Sequence, residues 1–516
     1  MVDLTVGRAF TLALRKSANR PAILSSRGVI THRELNELSD TLAGGLLALG
    51  LKHGDRVAVA MPNRAEYVIV AIACAKAGLV LVTLNYRFTA QEYRNQIRDS
   101  GAAAVIYVDS IPAVRTISAD VPGLKSICLG VSQHDEITWE SLMASGIGPL
   151  SDAPVAETDL LYLGYTSGTT GRPKGAMVTH RNRVLAYHYW AIEFGLTADD
   201  VMLHCAPFHH SAPFTFVLSQ LYIGGQVVIL DHFDANACLD AIERAGVTWA
   251  FWVPFMSERI LDTLRQSDRR QNLSTFRMII SGAAPLPTRT KLALLDCFKG
   301  SALHEFYGAT EAGVITNLRP DHQSSKIRCV GQPVFDMEIA IRSEAGHDLP
   351  PGEVGDIWLR GPTLFSGYFK DPEKTAAMFN RDWCTLGDIG WVDEENFLYI
   401  IDRRKDVIKS GGVNIYPIEI EEVLLEDPDI AEVAVVGVPD EVWGEAVHAV
   451  IVCRTGTAEN VSRLASLCRD KLAGYKVPKS FEFRAALPRN ANGKILKRVL
   501  REEYVARDHA MLPLSS

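Results

Sequence analysis

Short runs of consecutive apolar residues alternate along this chain with longer stretches whose apolar positions recur every three or four residues. Val57-Ala-Val-Ala-Met61, Ala104-Val-Ile-Tyr-Val108, Val227-Val-Ile-Leu230 and Phe276-Arg-Met-Ile-Ile280 read as buried strands, since a strand covered on both faces need not alternate. Between Arg33 and Leu49, the residues Leu35, Leu38, Leu42 and Leu46 keep helical spacing. Such strand–helix alternation predicts an α/β fold: a large N-terminal domain of parallel or mixed sheets flanked by helices, with loops at strand ends open to ligands. Tyr67 to Leu84 has Lys76 as its only charge. A membrane span is conceivable on length, but Lys76 sits mid-stretch and Gly78 separates a helix-like half from the β-branched half Leu79–Thr83. A buried helix feeding a buried strand explains it better, and no membrane span is expected.

The pattern changes near the C-terminus. The strand-like Phe397-Leu-Tyr-Ile-Ile401 runs into the charged Asp402-Arg-Arg-Lys-Asp406. Paired glycines, Gly411 and Gly412, follow, then a helix from near Pro417 and strands at Ala431–Val436 and His448–Val452. Two domains are expected, 1–401 and 402–516, the second a small α+β unit hinged at the charged run. A length of 516 residues requires more than one core.

Composition narrows the function classes. With 47% hydrophobic and 22% charged residues the chain is globular and soluble in type. A net charge of −8 argues against nucleic-acid binding. The nine cysteines form no CxxC pair, so neither a zinc site nor a disulfide framework is suggested, and a reducing cytoplasm fits. Oligomeric state is not readable, and a homodimer stays open.

The most informative segment is LLYLGYTSGTTGRPKG, Leu160 to Gly175. A buried strand enters six residues drawn only from Ser, Thr and Gly (Thr166, Ser167, Gly168, Thr169, Thr170 and Gly171), and a cation, Lys174, closes the segment. Glycines let backbone N–H groups converge on an anion, hydroxyls add donors and a lysine adds a point charge. The spacing is not that of a Walker A loop. A flexible linker has the same composition, but linkers rarely abut a buried strand and end in a cation.

This segment resembles the phosphate loop of the adenylate-forming superfamily, which includes acyl- and aryl-CoA synthetases, luciferases and the adenylation domains of peptide synthetases. Further motifs appear in the family's order. Tyr307-Gly308-Ala-Thr310-Glu311 resembles the segment that sets tyrosine against adenine, threonine near the α-phosphate and glutamate on Mg²⁺, with Thr166 as a second metal-side oxygen. A hard carboxylate suits that ion. Gly282, Ala283 and Ala284 resemble the adenine-side wall. Trp383-Cys-Thr-Leu386-Gly-Asp388 resembles a Thr-Gly-Asp motif whose aspartate takes the ribose hydroxyls, with Leu386 departing from the pattern. Asp402-Arg403-Arg-Lys-Asp406 resembles the hinge, with Asp402 the pivot and Arg403 reaching ribose or phosphate. The loop after it, with Lys409, Gly411, Gly412 and Asn414, resembles the lining of the pantetheine tunnel in the CoA-ligase branch. Pro488 to Ile495 resembles the loop whose lysine, here Lys494, bridges carboxylate and α-phosphate. Ala206-Pro-Phe208-His209-His210 resembles the segment beside the acyl pocket, where His209 gates thiol access. Amino-acid-activating relatives carry aspartate there, so histidine implies a substrate without an α-amino group.

The resemblance thus implies an ATP-dependent acid–CoA ligase working through acyl-AMP, with ATP, Mg²⁺ and coenzyme A. Lys494, Glu311, Thr166, Lys174 and His209 would be its catalytic groups. Phe208, His209, Phe214, Trp252 and Gly331 are expected at the acyl pocket, whose aromatic walls suit a fatty, aryl or alicyclic acid. None of these offers a cation, which disfavours a dicarboxylate. The resemblance further implies a small β-barrel-like subdomain and a mobile C-terminal domain. A stand-alone enzyme loading a carrier protein, an inactive nucleotide-binding homologue and a luciferase-type oxidation are the alternatives.

Overall fold

The computed structural model describes residues 3–118, 120–133, 136–146, 154–166, 173–266, 272–454, 460–489 and 495–510. The chain divides into two compact units, one of residues 1–338 and 360–384, the other of 339–359 and 385–516.

The first unit holds two large sheets. In the nine-stranded sheet, Ala302–Ala309, Met278–Ser281, Trp249–Trp252, Val201–His204, Gln226–Ile229 and Pro21–Ser25 run parallel in that order. Antiparallel strands, Gly313–Leu318 and Gly28–Thr31, flank them. The seven-stranded sheet is parallel from Ile137–Thr138 through Lys125–Leu129, Ala104–Val108, Arg56–Ala60 and Val80–Thr83 to Leu160–Thr166. It closes with one antiparallel strand, Lys174–Thr179. The expected α/β class with helix-flanked mixed sheets is what forms. Boundaries move by a residue or two: the expected strands at Val57, Val227 and Phe276 run Arg56–Ala60, Gln226–Ile229 and Met278–Ser281.

The helix Ala65–Ala77 is apolar all round and buried throughout except at Glu66, as a helix enclosed by protein requires. Gly78 ends it at φ +68°, and the strand Val80–Thr83 follows. Lys76 is buried within this helix because Asp40 meets its ammonium at 2.7 Å and Asn36 and Ser39 complete its bonds. Among the described residues no helix is long and apolar enough to cross a membrane. All nine cysteines are free thiols.

Where a barrel-like subdomain is expected, Glu338–Arg342, Gly355–Arg360, Trp383–Val392, Phe379–Asn380 and Leu398–Arg403 form a five-stranded sheet. In the second unit the long strands Ile430–Asp440 and Gly444–Cys453 pair antiparallel. Their side chains alternate between two cores. Val433, Val435, Val447, Ala449 and Ile451 join the one that includes Ile420 and Leu464. Ala434, Val436, Val438, Ala446 and Val450 join the one closed by Leu500. Two-residue periodicity feeds both faces of one sheet.

Candidate functional site

In the first unit the site grows from the hairpin Leu160–Thr166 / Lys174–Thr179, which sets Thr166 opposite Lys174 in register. The lysine thus stands at the start of a strand, although the sequence suggested the end of a loop. Ser167, Gly168, Thr169, Thr170 and Gly171 lie outside the described residues, as does Lys494. Glu311, buried at 8% exposure, follows the strand Ala302–Ala309. Its Oε1 accepts from the Tyr368 hydroxyl at 2.8 Å and from Thr166 Oγ1 at 3.5 Å. Lys174 Nζ sits 4.9 Å from the centre of the Tyr368 ring. Burial, and then Lys374, lower the Lys174 pKa, which Asp371 and Glu311 partly restore. A carboxylate and a hydroxyl oxygen beside a cation fit a magnesium ion whose other ligands come from phosphate and water. No cluster of three His, Cys, Asp or Glu able to hold a metal exists among the described residues. Tyr368 lies in no motif read from the sequence. Nothing in its local pattern announces that it holds Glu311.

Gly164, in the strand leading to Thr166, is a point of close approach. A Cβ there would lie 2.6 Å from Thr310 Cγ2 and 2.7 Å from the Tyr162 hydroxyl. Gly282 is likewise pressed on Phe306, while Ala283 and Ala284 are exposed and Ala283 adopts φ +69°. Tyr307 and Gly308 are half-buried in the strand Ala302–Ala309.

The segment Ala206–His210 is pinned by Asn63, whose amide donates to the Ala206 and Leu230 carbonyls and accepts from the Phe208 N–H. Phe208 stacks on Tyr67 at 5.0 Å and on His204 at 4.0 Å, and meets Phe214 edge-on at 6.0 Å. Tyr162 is 6.4 Å from Phe214. The His209 ring faces Tyr86 and His210, and among the described residues neither of its nitrogens has a hydrogen-bond partner. Burial, with His210 and Arg87 nearby, holds its pKa well below the usual range. Trp252 packs elsewhere, with Phe276 and Phe298. Gly331 lies against the Asn317–Leu318 backbone at φ +94°.

The helix after the hairpin, His180–Glu193, starts in a capping box between Thr179 and Asn182. That start fixes Arg183 inward, at 5% exposure. Its Nη2 donates to Ser211 Oγ at 2.8 Å, and its guanidinium lies 5.4 Å from the Tyr162 ring centre. No motif in the sequence marks Arg183, and one arginine in a helix's first turns usually points to water.

In the second unit, Asp388 is 4% exposed, pairs in register with Arg403 and meets its guanidinium at 3.2 Å. Beside the departure at Leu386, the Thr385 hydroxyl accepts from the Gly387 N–H at 3.2 Å. Asp402 accepts from the Arg403 N–H at 2.7 Å and the Ile418 N–H at 3.4 Å. Burial raises its pKa, against the pull of Lys497. Lys409 and Asn414 face each other across a hairpin whose turn is Gly411-Gly412, at φ +58° and +80°. All four are exposed.

Comparison with known proteins identifies the family. The model of the AMP-binding enzyme family matches residues 10–369, and that of the AMP-binding enzyme C-terminal domain matches 419–494. A feruloyl-CoA synthase from an Amycolatopsis species is 38% identical over 95% of this chain and 97% of its own. The long-chain-fatty-acid–CoA ligase FadD13 of Mycobacterium tuberculosis is 36% identical over 92% and 93%. The Bacillus subtilis o-succinylbenzoate CoA synthetase (MenE), solved with its acyl-adenylate intermediate, superposes with a TM-score of 0.86 at 30% identity, covering 96% and 97%. The same enzyme has been solved with ATP and magnesium ion, at a TM-score of 0.84, 30% identity and coverage of 95% and 98%.

Proposed function

The chain belongs to the AMP-binding enzyme family as an AMP-forming acyl-CoA synthetase using ATP, Mg²⁺ and coenzyme A, and on that premise we propose which residues do the work and which acid they take. The observation that carries the reading is the buried Glu311 carboxylate, held by Tyr368 between Thr166 and Lys174.

A thiol cannot displace oxide from a carboxylate at neutral pH, so the acid is activated first. Its carboxylate oxygen forms a bond to the α-phosphorus of ATP and pyrophosphate departs. The CoA sulfur then bonds to the acyl carbon and AMP leaves. Mg²⁺ at Glu311 and Thr166 would neutralise phosphate charge. Lys174 and the hydroxyl-rich loop hold the phosphates, Tyr307 and the Gly282–Ala284 wall take adenine, and Asp388 and Arg403 take the ribose. Lys494 stabilises charge developing at phosphorus, with Thr310 beside it. Residues 402–516 act as the moving element about Asp402, bringing Lys409, Gly411, Gly412 and Asn414 to the pantetheine arm. His209 is neutral, and its unsatisfied ring nitrogens suit a gate that reorients when the thiol arrives.

The acid has an apolar body, since Phe208, adjacent to His209 in the chain, packs in one aromatic cluster with Phe214, Tyr67 and Tyr162. A panel of fatty, aryl and alicyclic acids, scored for AMP and pyrophosphate release with and without CoA, tests this. CoA-dependent AMP release with apolar acids is expected. Release that needs an amino acid, or that ignores CoA, would overturn it.

A further inference from the structure

We propose that Arg183 and Tyr187 form a subsite for a second carboxylate on the acid being activated, so that the substrate is a dicarboxylic acid with an apolar body. This deepens the ligase reading above and rests on it.

Arg183 and Tyr187 line one small cavity with Tyr162, Phe214, Leu218 and Val6. Among the described residues no carboxylate pairs with Arg183. The described contacts of its guanidinium are the Ser211 hydroxyl and the face of the Tyr162 ring. A guanidinium has five donors, and a buried charge without a counter-ion is costly. One helical turn on, Tyr187 is fully buried and its hydroxyl has no hydrogen-bond partner among the described residues. Two kinds of donor thus face a cavity that supplies no anion, the complement of a carboxylate, which a guanidinium binds through two parallel bonds. Burial lowers the Arg183 pKa, so an incoming negative charge there relieves a strained cation.

The cavity lies within reach of the reaction centre. Tyr162 separates the two: Arg183 stands over its ring, while its hydroxyl lies beside Gly164, which also abuts Thr310. Thr83 joins the other side, donating to the His209 carbonyl at 3.2 Å and lying 3.5 Å from the Tyr162 hydroxyl. An acid entering past His209 and Phe214 would reach Arg183 with its far end after a short apolar span.

The test uses the purified full-length chain and matched acids: adipate against hexanoate, and o-carboxyphenylpropanoate against o-tolylpropanoate. Wild-type kcat/KM for each dicarboxylate should exceed that of its partner by about 100-fold or more, because the site leaves donors unpaired when the second carboxylate is missing. Arg183→Met should cut this ratio to within about 3-fold, with Arg183→Lys between. Without ATP, adipate should raise the melting temperature of the wild type more than hexanoate does, and Arg183→Met should erase the difference. Wild-type preference for the monocarboxylates, or an unchanged ratio in Arg183→Met, overturns the proposal. Should that variant not fold, Tyr187→Phe removes only an unpartnered hydroxyl; a ratio lowered about 5-fold or more supports the subsite and an unchanged one overturns it. If no acid releases AMP, the ligase reading falls, while the melting comparison still decides whether the subsite binds a dicarboxylate.

Discussion

The Tyr368 hydroxyl donates to Glu311 Oε1 at 2.8 Å, joining residues fifty-seven positions apart in the chain. The bond fixes one oxygen of a buried carboxylate and leaves the other to turn toward a ligand. Tyr368→Phe removes that restraint without removing the ring that Lys174 faces. The Mg²⁺ concentration for half-maximal AMP formation should rise about 10-fold, with kcat at saturating Mg²⁺ much less affected. A magnesium titration of the variant checks it, and an unshifted midpoint contradicts the positioning role.

Lys494 is assigned to the first half-reaction alone. Lys494→Ala should slow acyl-AMP formation from acid and ATP by about 100- to 1,000-fold. Thioester formation from preformed acyl-AMP should be spared. Single-turnover measurements on each half separate the two, and equal losses in both would count against the assignment.

His180 ties stability to pH. It is fully buried, its Nδ1 accepts from the Val6 N–H at 3.1 Å, and burial lowers its pKa from 6.5 to about 4. The unfolded chain takes up a proton near pH 6.5 and the folded one not until about 4. Stability from the neutral ring is therefore complete above 6.5 and lost as pH falls toward 4, a loss of about 3 kcal/mol in full. Buried His204, its pKa lowered to about 3, acts in the same sense. In His180→Gln, whose amide oxygen can still accept from Val6, the urea midpoint should fall less between pH 7 and 4.5 than in the wild type. An identical fall in both would refute the linkage.

Gly331 has a structural reason to be glycine. A Cβ there would stand 1.9 Å from the Asn317 carbonyl carbon, at φ +94°. Backbone cannot yield as a side chain can, so Gly331→Ala should cost about 3 kcal/mol or more. A denaturation midpoint within error of the wild type would exclude this packing.

Much of this was legible because local pattern and tertiary fate coincide. The stretch Tyr67–Leu84 becomes a buried helix and strand, with the break at Gly78 that composition suggested. The helix expected over Arg33–Leu49 runs His32–Ala48, moved one residue by the Thr31–Glu34 capping box. Tyr368 and Arg183 were not legible. Each takes its meaning from partners brought by long-range packing: Glu311 for one, Ser211 and the Tyr162 ring for the other. A lone arginine in a helix and a tyrosine on an isolated β-bridge carry no spacing that marks them. Nor does any composition shift reveal that residues 339–359 fold with 385–516.

That discontinuity has a price in biosynthesis. Residues 339–359 leave the ribosome long before the end of the chain that completes their unit has been made. Until its partner strands Trp383–Val392 and Leu398–Arg403 emerge, the nascent protein carries a half-built sheet with unpaired edges, the kind of surface that invites association with neighbours or cover by chaperones. A stop codon ahead of Trp383 would make that interval permanent.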